Sequence, residues 1–261
     1  MVPYCKHHVL KYHGWMKDPD LQAATASEPL TLEAECAMQR SWRNDSDKLT
    51  FISCLPQDKD QHSQLEDIRS IIGDVNLFIV LNEEDSGDLS LAGEIELMIA
   101  QKQNQRQGIG RAALLVFLRY ILEHEDDILK EYFGASRAIA PTSHFHYFRA
   151  KINETNVRSI TLFEGIGFKK IEESPDFFGE FELRAQRHTL AEVVGQMEER
   201  SIRDYLEAPY PDEAGDYVKE EAAVKAPLLD GEKGPPTLQE MEAQMDLLMP
   251  TSEAHQLADG T

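Results

Sequence analysis

The chain has 261 residues, 41% hydrophobic and 8% aromatic, enough apolar material to build a core over part of that length. It carries 26 Lys and Arg against 47 Asp and Glu, a formal charge of −21. Such a surface repels phosphate backbones and anionic lipid, which argues against nucleic acid or a membrane as the main partner. Cys5, Cys36 and Cys54 form an odd set with no CxxC or zinc spacing and read as isolated reduced thiols. No apolar leader opens the sequence and no run approaches the ~18 residues of a membrane helix, so the expected compartment is the cytoplasm or the nucleus.

Taken in chain order, residues 7–16 and 31–45 read as helices, the second with Thr31 as N-cap and Glu33 and Glu35 in its first turn. Residues 49–54 suit a short strand, and the polar stretch 57–70 a loop. Residues 71–81 are rich in β-branched residues and 91–100 alternate. Joined by a Gly/Asp-rich turn, they predict an antiparallel hairpin. A helix over 110–124 places Ala113, Leu114, Phe117, Leu118, Ile121 and Leu122 on one face. Residues 125–147 are mixed and read as an inserted loop. A strand at 148–152, an amphipathic helix at 156–165, a closing strand at 177–184 and a charged helix at 191–206 complete a mixed α/β domain over 1–190. From residue 205 onward the composition changes: six prolines and thirteen Asp/Glu stand against three lysines, placing −10 of the −21 there. A disordered acidic tail over 207–261 is expected, with a short helix at 238–249 where Leu238, Met241, Met245 and Leu248 recur at helical spacing.

Chemistry concentrates where a strand meets a helix through Gln105-Arg-Gln-Gly-Ile-Gly110. Helix N-termini leave backbone N–H groups unpaired and carry about half a positive charge. Gly108 and Gly110 remove the side chains that would keep a pyrophosphate from those amides. Gln105, Arg106, Gln107, Gly108, Ile109, Gly110 and Arg111 are therefore the candidate anion-binding residues, with Lys102 adding charge. A lone GxG is also what an ordinary tight turn contains. No βαβ unit precedes it and Ala113 stands where a dinucleotide fold has its third glycine; a Walker A loop is excluded by the missing Gly-Lys-Ser/Thr. Downstream, Asn156 and Ser159 open the helix that ends in Gly167-Phe168, positions that suit capping as well as ligand contact.

Gln-x-x-Gly-x-Gly after a strand, followed later by Asn156-x-x-Ser-Ile160 and a helix ending in Gly-Phe, resembles the paired signatures of GNAT acetyltransferases. The runs Pro3-Tyr4, Lys11-Tyr-His-x-Trp-Met16, Thr25-Ala-Ser-Glu-Pro-Leu-Thr-Leu-Glu33, Gly73-Asp-Val-Asn-Leu-Phe78 and Gly93-Glu-Ile-Glu-x-Met-Ile-Ala100 look like the eukaryotic N-acetyltransferase 9 family. The resemblance spans roughly the first 185 residues. It implies the GNAT fold: a mostly antiparallel sheet splayed between its fourth and fifth strands and flanked by helices. It also implies acetyl-CoA as co-substrate with no metal, and a protein acceptor modified at an N-terminal or lysine amine, with tubulin as the proposed acceptor. By the same resemblance Asn156 and Ser159 contact the pantetheine arm, and backbone N–H groups at Met98, Ile99 and Ala100 polarise the thioester carbonyl.

Glu94 and Glu96 share one strand face with Met98 and Ala100. Glu96 is the favoured general base and Glu94 the second choice, although two acids on a solvent-facing strand have the same pattern. Glu28 is a candidate for gripping the acceptor's amino group. Three departures from the family stand out. Relatives carry extra residues ahead of Val2 that form the first strand, so the sequence starts inside that strand, and either a misassigned start or an incomplete sheet edge is expected. Arg106 stands where Gly is usual. Phe163 replaces the Tyr that many members use as general acid, which keeps open a second reading, an acetyl-CoA-binding interaction protein with little turnover. Small amines are a third class of acceptor for the same site. The pairs His7/His8 and His144/His146 lack further ligands at metal spacing and read as surface histidines.

Overall fold

The structure, a computed structural model, describes residues 1–56, 68–83, 89–136, 144–197 and 205–210. The hairpin turn, most of the 57–70 stretch, the acidic tail from 211 and its 238–249 segment lie outside the described residues. The chain runs β1 (Val2–Pro3), a 3-10 turn (Lys6–His8), α1 (Val9–Trp15), α2 (Pro19–Ala24), α3 (Leu32–Asn44), β2 (Lys48–Cys54), β3 (Ile71–Glu83) and β4 (Leu89–Ile99). It continues through a 3-10 turn (Lys102–Asn104), α4 (Ile109–Glu123), α5 (Glu125–Ser136), β5 (Tyr147–Asn153), α6 (Val157–Glu164), β6 (Lys169–Lys170), β7 (Glu180–Gln186) and α7 (Arg187–Gly195). The strands form one seven-stranded sheet ordered β1-β2-β3-β4-β5-β7-β6. Every neighbouring pair is antiparallel except β4 and β5, the mixed architecture expected from the sequence.

Local chemistry explains most boundaries. The Thr31 hydroxyl accepts from the Ala34 N–H at 3.2 Å to start α3, and Pro19 occupies the first turn of α2 behind an Asp18 cap. The β3–β4 ladder is long, and its register requires Gly73, because a Cβ there would lie 1.9 Å from the Met98 carbonyl oxygen.

Three expectations are corrected. Residues 125–136 are a helix rather than a loop: Glu125, Asp126 and Asp127 sit in its first turn, where anions oppose the helix dipole. Ile128, Leu129, Tyr132 and Phe133 then pack on the core at helical spacing. Buried Glu125 ties this segment down, accepting from the Phe145 N–H at 2.8 Å and from the Arg187 guanidinium at 2.6–3.1 Å. The last described helix begins at Arg187, directly out of β7, because Leu190, Val193 and Val194 reach the core from there. Finally, β7 starts at Glu180 and not at 177, since Asp176 accepts from the N–H groups of Phe178 and Glu180 and closes a turn through Gly179 at φ 77°. Phe177 and Phe178 project from that turn, 97% and 78% exposed.

The sheet divides two cores. Val75, Leu77, Leu91, Ile95, Phe148 and Leu183 face α4 and its neighbours, centred on Leu114, Phe117 and Leu118. On the opposite face, Met98 and Ala100 are covered by α1, α2 and α3 through Tyr12, Trp15, Leu21 and Leu32.

Candidate active site

The site begins where β4 and β5 part. Their parallel pairing covers only Ala92 to Glu94 against Tyr147 to Arg149, after which the strands diverge and leave a gap beside Ile95–Ile99. At the last paired rung the Arg149 Nε donates to Glu94 Oε2 at 2.7 Å, pinning the apex of the gap with an ion pair. Which amides enter the gap follows from ladder alternation. The Ala100 N–H donates to the Ile72 carbonyl at 2.8 Å, so Ala100, Met98 and Glu96 turn their backbone groups toward β3. Leu97 and Ile99 turn theirs toward the gap. Of Met98, Ile99 and Ala100, then, Ile99 alone aims its N–H there; Leu97, not singled out from sequence, is the other.

The glycine loop closes the wide end of the gap. Gln105 Nε2 donates to the Ile99 carbonyl at 2.8 Å, fastening the loop to the end of β4. Positive φ occurs at Arg106 (63°) and Gly108 (81°). The first explains why Gly is usual where Arg106 stands: an L-residue there costs about 1–2 kcal/mol. Gly108 is the N-cap of the 15-residue α4 and supplies no side-chain cap, so the first-turn amides at Ile109, Gly110 and Arg111 remain without an intrahelical acceptor. A Cβ on Gly108 would meet nothing within 4 Å, so the loop is uncrowded at that position and its φ is what favours glycine there. A Cβ added at Gly110 would lie 3.4 Å from Leu97 and 3.7 Å from Leu162, which places the helix start beside the end of β4 at the mouth of the gap. These features fit a pyrophosphate-bearing ligand. Arg106, Gln107 and Arg111 are exposed around it. Lys102 is not available, being held by Asp20 at 3.0 Å and Asp18 at 3.2 Å.

Alternate residues of the strands carry ionisable groups on the face opposite α4. Glu96 pairs in register with Asn76, and Asp74 with Met98. The Glu96 side chain is exposed within the gap. Even so, the walls withdraw it from bulk water and Asp74, Glu94 and Glu180 add negative charge, pushing its pKa up to about 7. Glu94, by contrast, is ion-paired with Arg149 at 2.7 Å. Asp74, 2% exposed, accepts from Asn76 Nδ2 at 2.9 Å and from the Tyr12 hydroxyl at 3.3 Å. Burial raises its pKa to about 6 against those two hydrogen bonds. Sequence reasoning missed Asp74, Asn76 and Tyr12. The available signal was two polar residues inside a β-branched strand.

The remaining candidates are dispersed. The Asn156 side chain accepts from the Ser159 N–H at 3.2 Å, so both residues form the N-terminal cap of α6. Glu28 is exposed on the loop before α3, with no contact to Glu96 among the described residues. Phe163 is 3% exposed and packs edge-on against Phe168 at 5.0 Å, a core residue rather than a donor at the site. Of the histidines expected at the surface, His8 is instead fully buried, its Nδ1 accepting from the Cys5 N–H at 3.0 Å, whereas His7 and His146 are partly exposed and His144 is exposed. No cluster with metal-ligating composition occurs among the described residues.

Residues 1–169 match the family model for the acetyltransferase (GNAT) domain. An N-acetyltransferase 9-like protein of Schizosaccharomyces pombe is 35% identical over 213 residues, 72% of this chain and 92% of that one. The chain belongs to the N-acetyltransferase 9 family of GNAT acetyltransferases. The human protein named alpha/beta-tubulin-N-acetyltransferase 9 is 37% identical over 210 residues, 78% of this chain and 90% of its own. Among solved structures, an aminoglycoside acetyltransferase in complex with coenzyme A and kanamycin superposes with a TM-score of 0.50 at 15% identity, covering 73% of this chain and 95% of that one. That likeness concerns the fold. The family member described here is an acetyl-CoA-dependent N-acetyltransferase, and the splayed strands with an uncapped helix start at their mouth are its GNAT hallmark.

Proposed function

We propose that the chain acetylates an amino group of a protein acceptor, with Glu96 as general base, and that α/β-tubulin is that acceptor. The acceptor assignment is supported by the name of the human relative, alpha/beta-tubulin-N-acetyltransferase 9, and the base by geometry: Glu96 lies exposed in the gap while Glu94 is held by Arg149. Acetyl-CoA supplies the acetyl group as an activated thioester. The first-turn amides of α4, with Gln107 and Arg106 beside them, hold its pyrophosphate; Asn156 and Ser159 meet the pantetheine arm; Leu97 and Ile99 donate N–H groups to the thioester oxygen, with Met98 and Ala100 fixing the strand that carries them. Glu96 takes the proton of the incoming ammonium, leaving the neutral amine to form the C–N bond as the C–S bond breaks. Because residue 163 is a phenylalanine and donates no proton, the second proton that the attacking nitrogen loses on becoming an amide reaches the departing sulfur through water. Glu28, on the loop before α3, binds the acceptor beyond its reacting amine. The strongly acidic composition disfavours nucleic acid and anionic membranes as partners, and the cytoplasm, where tubulin resides, is the proposed compartment.

The observation that carries this reading is the exposed Glu96 beside the gap-facing amides. It is tested by separating binding from chemistry. Acetyl-CoA at 100 Kd is expected to stabilise the full chain by about 2.7 kcal/mol in a melting experiment, and Gly110→Asp to abolish that shift. Glu96→Gln is expected to keep the shift while lowering acetylation of purified α/β-tubulin by about 10²–10⁴-fold. Full activity in Glu96→Gln sinks the base assignment. Wild-type binding without any tubulin acetylation moves the chain to the interaction-protein reading.

A further inference from the structure

Asp74 is a puzzle for stability. It is 2% exposed, one rung in from the end of the longest ladder of the sheet. Its partners are two neutral donors, Asn76 Nδ2 and the Tyr12 hydroxyl, and its Oδ1 has no partner among the described residues. The cations nearby are engaged elsewhere: Arg149 by Glu94, and Lys11 by the carbonyls of Ile68 and Arg69. An apolar side chain at this position, between Tyr12 and Met98, would extend the core those residues already form. Buried carboxylates without a cation are costly and are retained where they act on something.

Its position shows on what. Asn76, which donates to Asp74, stands directly opposite Glu96, so Asp74 lies on the diagonal from Glu96 across β3 and β4. Diagonal neighbours on one sheet face are about 7–8 Å apart, too far for a hydrogen bond but close enough for strong charge interaction across a partly dry site. The Asn76 Oδ1 also has no partner among the described residues. Other groups face the same region: Glu94 on β4 with Arg149 on β5, Lys151 on β5, Glu180, Glu182 and Arg184 on β7, Tyr12 on α1 and Glu35 on α3. Of the acids, Glu94 is paired with Arg149 and Glu182 with Arg184, whereas Asp74 keeps its charge undiluted by any cation.

We propose that Asp74 is a positioning residue for proton transfer: its buried, uncompensated carboxylate, steered by Asn76 and Tyr12, makes Glu96 hold a proton more tightly and so act as a stronger base toward the acceptor ammonium. This rests on Glu96 being the base. Asp74 touches neither acceptor nor donor, and it acts through the field it imposes on Glu96.

The experiment is a ¹³C-carboxyl NMR titration of the full chain labelled at Glu, with the Glu96 signal assigned by its loss in Glu96→Gln. In Asp74→Asn the midpoint of Glu96 is expected to fall by about one unit, while Asp74→Glu restores it toward the wild-type position. The low-pH limb of kcat/KM with α/β-tubulin moves down with it. An unmoved Glu96 midpoint in a folded Asp74→Asn protein overturns the inference, since a purely structural role predicts that result. If Asp74→Asn does not fold, Tyr12→Phe provides the second test. Losing a donor to Asp74 favours its neutral form, so the Glu96 midpoint falls; no change again overturns the inference. Glu96→Gln with full activity would instead remove the underlying base assignment, so the two failures are distinguishable.

Discussion

The two faces of the central sheet differ more than any two elements of the molecule, although they are made of alternate residues of the same strands. On β3, Val75 and Leu77 point into a core that excludes water completely, while Asp74 and Asn76 on the other face are just as buried yet polar. On β4, Ile95 and Leu97 face α4, and Glu94 and Glu96 face the gap. Period-two geometry lets one strand serve both purposes, since substituting Val75, Leu77, Ile95 or Leu97 alters packing and substituting Asp74, Glu94 or Glu96 alters charge. The apolar face holds the strands together, and the acidic face keeps charges the fold would be more stable without.

That division is broken most severely from the apolar side. Phe117 is fully buried beneath the sheet and packs edge-on against Phe51 at 5.9 Å. Phe117→Ala is expected to cost about 3–5 kcal/mol in urea unfolding, with kcat/KM per folded molecule unchanged below the transition. A change in the pH limb of activity in this variant would show that the faces are not independent.

The acidic face is expected to act in the opposite direction. The pKa of Asp74 is raised to about 6, from an ordinary value of 3.8. The folded protein therefore binds this proton more tightly than the unfolded chain does. Its contribution to stability is complete below about pH 4 and is lost as pH rises through about 6. Buried Glu35, raised to about 7 by desolvation, has the same sign. Melting temperature should accordingly fall between pH 5 and 7.5. Asp74→Asn should flatten that fall and stabilise the protein at pH 7.5 by up to about 3 kcal/mol. A less stable variant at pH 7.5 would mean that the Tyr12 and Asn76 hydrogen bonds outweigh the buried charge.

How much of this was legible in the sequence follows the same line between local and long-range causes. The helix caps, the β3–β4 hairpin, the amphipathic α4 and the glycine loop are set by neighbours in sequence, and their positions were readable to within a residue or two. The start of α5 was hidden because its first-turn acids resemble loop residues until the dipole they oppose is recognised. The ranking of Glu96 ahead of Glu94 was already made from the sequence, but the contact that sets the two apart was hidden there, because it depends on Arg149, fifty-five positions from Glu94, reaching the apex of the gap. Asp74 was passed over because a β-branched run hides which of its members face which side.

The smallest effect tests the place where the two faces meet. Helix α6 packs Ile160 and Phe163 into the apolar core, while Leu162, toward its C-terminal end, lies near Gly110 at the mouth of the gap. The Asn156 Oδ1 caps that helix through the Ser159 N–H, which leaves its Nδ2 to donate elsewhere. Asn156→Ala should cost about 1 kcal/mol in thermal unfolding, and Asn156→Asp should recover it, because a carboxylate oxygen accepts the same N–H and also suits the positive end of the helix. Stabilisation by acetyl-CoA then separates the roles. If the amide of Asn156 donates to the pantetheine arm, the aspartate variant folds as well as wild type and yet responds less to acetyl-CoA, since it lacks the N–H donor. If the side chain serves the helix alone, the aspartate variant recovers both stability and ligand response, and Asn156 belongs with the packing face of the sheet.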